Sequence, residues 1–204
     1  MFKCLSQKPN NGSTIAEILV AISIVAVIGT ILVSIFTSTL QGNNKSQILS
    51  NIKQNGQAIL ENLDKTIRGA DNVLCPRDVY SVNTLVIEKG GSYTRVRYVR
   101  PTTAANGKFI QDNPVPSPGY EDVFPSQVCT SSMSTAVNLT DTNSQTGVSV
   151  NSVSGDDVIF TRNQLTGSKD NVVVQFTLSP GVNASEAVRG QINPVKFQTT
   201  VQLR

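Results

Sequence analysis

Residues Ile15 to Phe36 form one apolar run in which Glu17 is the single charge. A helix of this length, at ~1.5 Å per residue, covers ~33 Å, the thickness of a bilayer core. Its hydroxyl residues Ser23, Thr30 and Ser34 suit a helix that bonds them to its own carbonyls. Ahead of the run, residues 1–12 are polar and carry Lys3 and Lys8 without an acid. That asymmetry keeps the leader in the cytoplasm and sends the rest of the chain outside. A cleaved secretory signal has a shorter apolar core, about 7–15 residues, before a small-x-small site. Thr37-Ser38-Thr39-Leu40 is a poor site of that kind. A lipoprotein signal needs its cysteine after the run, and Cys4 precedes it. A plain signal anchor fits the length but leaves Glu17 unexplained. A carboxylate inside the bilayer costs about 2.5–3.5 kcal/mol on insertion scales and calls for a partner, unless it sits at the headgroup edge and stays wet.

The segment Gly12-Ser13-Thr14-Ile15-Ala16-Glu17-Ile18-Leu19-Val20 resembles the class III signal of type IV pilins and pseudopilins. The shared elements are a short basic leader ending in glycine, a glutamate in fifth place after it, and an uninterrupted apolar run. The resemblance implies that prepilin peptidase cuts between Gly12 and Ser13 and methylates the new N-terminus at Ser13. It implies that Glu17 pairs with the terminal amine of a neighbouring subunit during filament assembly. Pairing in a low dielectric offsets part of the cost of burying either charge, and register is the expected product more than stability. Ser13 stands where the family usually has phenylalanine, and the run lacks the mid-helix proline common in major subunits. Both point towards a minor pilin.

The helical pattern continues past the apolar run. Gln41-Gly42-Asn43-Asn44 is a weak spot, and Gly42 and Gly56 are places where the helix is expected to bend or melt. Ile48, Ile52, Ile59, Leu63 and Ile67, broadened by Leu49 and Leu60, then mark one stripe of an amphipathic helix. Glu61 with Lys65 and Asp64 with Arg68 are i,i+4 pairs in the favourable order. Arg68-Gly69 reads as the helix end. The stripe is expected to pack on a sheet.

From Gly69 on, the composition shifts to Ser, Thr, Asn, Val and Gly. Thr84–Glu88 and Tyr93–Arg100 read as a hairpin about Lys89-Gly90-Gly91-Ser92. Residues 101–156 are proline-rich and loop-like, with short strands expected near Ser126–Cys129 and Gly147–Val153. Val158–Arg162, Asn171–Thr177 and Val195–Leu203 are further strands; the last alternates as a half-buried strand does. The expected fold is α+β and pilin-like: a long N-terminal helix, half transmembrane and half amphipathic, on an antiparallel β-sheet head. The expected parts are a leader (1–12), a membrane or filament-core helix (13–40), an amphipathic half (41–70) and an extracytoplasmic head (71–204).

Cleavage would remove Cys4 and turn an odd count of three cysteines into the pair Cys75 and Cys129, both outside the cytoplasm, where a disulfide persists. Two free buried thiols are the alternative. Cleavage also removes Lys3 and Lys8, which lowers the side-chain charge from +3 to +1. The chain has no histidine, so it has no Ser-His-Asp triad and no histidine metal ligand. No phosphate-binding glycine loop is present. No catalytic residue, metal site or cofactor is expected. Asp141, Asp156, Asp157 and Asp170 lack EF-hand spacing. Arg95, Arg97 and Arg100, with Tyr93, form a basic strip that suits DNA phosphates; a solvated strand face is the bland alternative. The expected function is a structural filament subunit with prepilin peptidase, other pilins, the pilus assembly platform and the membrane as partners. The alternatives are a type II secretion or competence pseudopilin within the family, and an uncleaved signal-anchored adhesin or binding protein outside it.

Overall fold

The computed structural model describes residues 14–77, 82–116, 124–133, 135–153, 155–164 and 169–203. The architecture is α+β and pilin-like, with one long N-terminal apolar helix, α1 (Ile15–Arg68), and antiparallel sheets. α1 continues through Gln41–Asn44, so the weak spot does not end it. Two compact units divide within α1, residues 1–44 and 45–204.

In the second unit, five strands form one sheet in sequence order. These are β1 (Asn72–Cys75), β2 (Thr84–Lys89), β3 (Ser92–Val99), β4 (Lys108–Asp112) and β5 (Val137–Asn138). Gly90 and Gly91 have φ of 55° and 77°, so the β2–β3 hairpin turns on two left-handed residues between Lys89 and Ser92. Only glycine takes both positions without strain. The second sheet is built around β8 (Asn171–Pro180). Its two halves pair on one side with β7 (Phe160–Asn163) and β6 (Val148–Asn151), and its other side pairs with β9 (Val195–Gln202).

The expected stripe on α1 is the buried one: Ile52, Ile59, Leu63 and Ile67 are at most 3% exposed, with Ile48 and Leu60 partly covered. It closes a core with Val73, Leu85, Ile87 and Val96 of the first sheet and Val150, Val172, Val174 and Val201 of the second. Phe109 bridges the two sheets: its ring meets Phe176 edge-on at 5.2 Å, and Phe176 stacks on Phe197 at 5.4 Å. Gly56 lies against the Phe197 ring; any Cβ there would overlap it.

Three expectations need correction. Ser126–Cys129 is no strand. The chain makes a single helical turn, α2 (Phe124–Gln127), followed by a turn. Pro125 has the preset φ of a first helical turn and no N–H to give a ladder. Residues 101–156 also hold more order than a loop, since β4, α2, β5 and β6 lie there. β1 and β4 are not legible in the sequence because four or five residues are too few to show an alternating pattern. A further single turn, α3 (Glu186–Arg189), precedes β9.

Candidate functional site

The first unit carries the larger exposed apolar surface. From Ile15 to Phe36 the large side chains are at least half exposed, between 50% for Ile18 and 80% for Ile15. α1 is long and apolar enough near its start to cross a membrane. Five of its hydroxyls donate to carbonyls of the helix itself. Ser23 Oγ donates to Leu19 O, Thr30 Oγ1 to Val27 O and Thr37 Oγ1 to Val33 O, each at 2.8 Å. Ser38 and Thr39 bond back to Ser34 O and Ile35 O at 2.9 Å. A helix that satisfies its own polar groups loses little on entering hydrocarbon.

Glu17 is held from within its own chain. Thr14 N–H donates to Glu17 Oε2 at 2.9 Å, and Glu17 N–H donates to Thr14 Oγ1 at 3.3 Å. This reciprocal pair is a capping box, which satisfies two of the orphan donors at the helix start. The signal is legible in the sequence as Thr14-Ile15-Ala16-Glu17, a threonine three residues ahead of a glutamate before an apolar run. The expected cleavage positions Gly12 and Ser13 lie outside the described residues.

The second candidate surface is the outer face of the first sheet, away from α1. Pairing aligns Cys75, Val86, Arg95 and Asp112 in one row across β1 to β4. Leu74, Val86 and the two cysteines pack there with Val128, flanked by Tyr93 and Phe124. A disulfide joins Cys75 to Cys129, with Cα atoms 5.9 Å apart and both residues buried.

Arg95 and Arg97 tie this cover to the sheet, and Arg100 pairs elsewhere. Arg95 is 2% exposed. Its Nε donates to Asp112 Oδ1 at 2.8 Å and its Nη2 to Asp112 Oδ2, a fork-to-fork pair. Nη1 donates to Val128 O at 2.9 Å, Ser131 O at 3.0 Å and Ser131 Oγ at 2.7 Å. Arg95 is therefore no phosphate contact, which corrects the expectation for that residue. Arg97 is half-buried on the same face, donating to Thr84 Oγ1 at 3.1 Å, Cys129 O at 3.0 Å and Ser131 O at 2.9 Å. Burial, and then the neighbouring Arg95 charge, lower its pKa. Arg100 is exposed and forks onto Asp157, at 2.9 and 2.6 Å. Sequence periodicity placed Arg95 and Arg97 on one face correctly. It had no means of showing that residues 124–132 cover that face.

Asp141, Asp157 and Asp170 each have a different partner. Asp157 holds Arg100, Asp170 holds Arg162, and Asp141 accepts from Asn143 N–H in a turn. Among the described residues no three metal-ligating side chains come together. No protein-family model, no curated protein and no solved structure matches the chain.

Proposed function

We propose that the chain is a non-enzymatic structural subunit, a minor pilin or pseudopilin, of a type IV pilus-like filament. Prepilin peptidase removes residues 1–12 and methylates Ser13. The apolar half of α1 holds the subunit in the cytoplasmic membrane with its head outside, and then packs among other pilins in the filament core through the assembly platform. The observation that carries this reading is the exposed apolar half of the helix that starts three residues after Gly12. Such a surface needs lipid or other helices around it. Intact-mass measurement of membrane-extracted protein tests it. The expected species starts at Ser13 with one added methyl group, and retention of residues 1–12 overturns it.

A second reading, an uncleaved signal anchor carrying an adhesin or binding head, draws support from the capping box. Glu17 already has a partner in Thr14, so its presence needs no neighbouring amine. The two readings part on Glu17→Ala. For a filament subunit, the variant inserts normally but fails to enter filaments. For a plain anchor, it loses only the Thr14 N–H to Glu17 carboxylate half of the capping box, about 0.3–1 kcal/mol of helix stability, while the bond from the residue-17 N–H to Thr14 Oγ1 remains. Fractionating sheared filaments and membranes separates the two outcomes.

A further inference from the structure

Natural sheets blunt their edges, because an unpaired edge recruits other strands. Here β1 is bulged between Val73 and Cys75 and runs into Pro76, and β5 is two residues long. β6 and β7 are four residues each. β9 is different: eight residues, no proline, and one unbroken register on β8.

The direction of its free groups follows from the ladder. Leu203 N–H donates to Asp170 O at 3.1 Å, in register with the β8–β9 pairing. In an antiparallel ladder, alternate residues exchange bonds with a given neighbour. Val195, Phe197, Thr199 and Val201 therefore bond to β8, and the N–H and C=O of Lys196, Gln198, Thr200 and Gln202 point to the open side. β8 agrees from its other edge: Gln175 N–H donates to Ile159 O, and Gly181 N–H to Gly147 O. Its odd-numbered residues face β7 and β6, which leaves the even ones for β9. Among the described residues, no strand covers the open side of β9.

The side chains are unfinished in the same place. Val195, Phe197 and Thr199 point to the core side but are only partly buried, Val195 and Phe197 at the margin of the core, whereas Val201 is fully buried. On the other face Lys196, Gln198, Thr200 and Gln202 are exposed. Lys196 is the one charge among them and enters no ion pair among the described residues.

We propose that β9 is a strand-addition site that takes an extended segment of another protein. The segment is apolar on the row beside Val195, Phe197 and Thr199, and neutral or acidic on the row beside Lys196. A second copy of this chain does not fit. In an antiparallel pair of β9 strands the outer rows would meet as Lys196, Gln198, Thr200 and Gln202 on both sides, with no acid to receive Lys196. Parallel pairing about a two-fold would set each apolar row beside the other copy's polar row.

The test uses the full chain in detergent micelles and a fluorescent peptide that matches β9 in length and alternates valine with threonine and glutamate. Binding is read by anisotropy. Wild type binds this peptide, and N-methylation along its pairing edge weakens binding by at least roughly tenfold. Thr200→Pro removes an outward N–H, leaves the β8 ladder intact, and weakens binding as strongly. Replacing the peptide's glutamate with lysine weakens binding, and Lys196→Glu reverses that preference. No binding to wild type, or equal binding of the N-methylated peptide, overturns the site. If Thr200→Pro does not fold, the N-methylated peptide with wild type decides. A dimer of the purified chain that Gln198→Pro dissolves overturns the choice of occupant. None of these readouts depends on whether the chain starts at Met1 or Ser13, so failure here is distinct from failure of the filament reading.

Discussion

Arg95 and Arg100 carry the same charge five residues apart and have opposite energetics. Arg100 meets Asp157 in water, with 63% of its side chain exposed, and solvent screening leaves such a pair little net effect on stability. Arg95 meets Asp112 out of water, with 2% and 5% of the side chains exposed, and its remaining donors are bonded to carbonyls. Removing one partner there strands a buried charge, which costs ~3–5 kcal/mol. Asp112→Ala should therefore lose most of the head's stability in a denaturant titration, while Arg100→Ala shifts the midpoint little. Arg95→Met with Asp112→Leu should recover most of the loss, because no charge is then left unpaired. An unchanged midpoint in Asp112→Ala would show that the pair contributes nothing. Glu17 teaches the same lesson: a carboxylate that looks isolated in sequence is held by a backbone N–H three residues away.

α1 changes its solvent along its length. From Ile15 to Phe36 its large apolar side chains are exposed; from Ile48 on its apolar stripe forms one wall of the head core. Periodicity made that second half legible, because the i, i+4, i+7 spacing of Ile52, Ile59, Leu63 and Ile67 needs no knowledge of what they touch. It did not explain Gly56, which reads from sequence as a place to bend and serves as the seat of the Phe197 ring. Gly56→Ala should destabilise the head by ~1–3 kcal/mol through overpacking. In a Phe197→Ala background, the same substitution should become favourable by up to ~1 kcal/mol, the ordinary helix preference for alanine. Thermal melts of the four proteins check this; equal effects in both backgrounds would deny the contact. The β2–β3 hairpin was legible too, since Gly90-Gly91 between alternating strands is a strong local turn signal.

The unit 45–204 has its own core and a bridge that closes a loop of 54 residues. In the chain-entropy account such a closure is worth ~4 kcal/mol. A protein lacking residues 1–44 should fold as a soluble, cooperatively melting domain, and Cys75→Ser with Cys129→Ser should lower its stability by a few kcal/mol, up to ~4. A truncated head that melts without cooperativity would contradict the division. Several features were decided by the sequence alone: the apolar run, the buried stripe of α1, the hairpin and the alternation of β9. Each depends on hydrophobic spacing or turn chemistry within a window of one element. Only the tertiary structure decided that Arg95 is an internal strut, that residues 124–132 cover one sheet face, and that β9 is left open. Those outcomes depend on which distant segments meet: Arg95 with Ser131, Cys75 with Cys129, β8 with three partners. Burial and edge exposure are properties of the assembled sheets, and no local pattern encodes them.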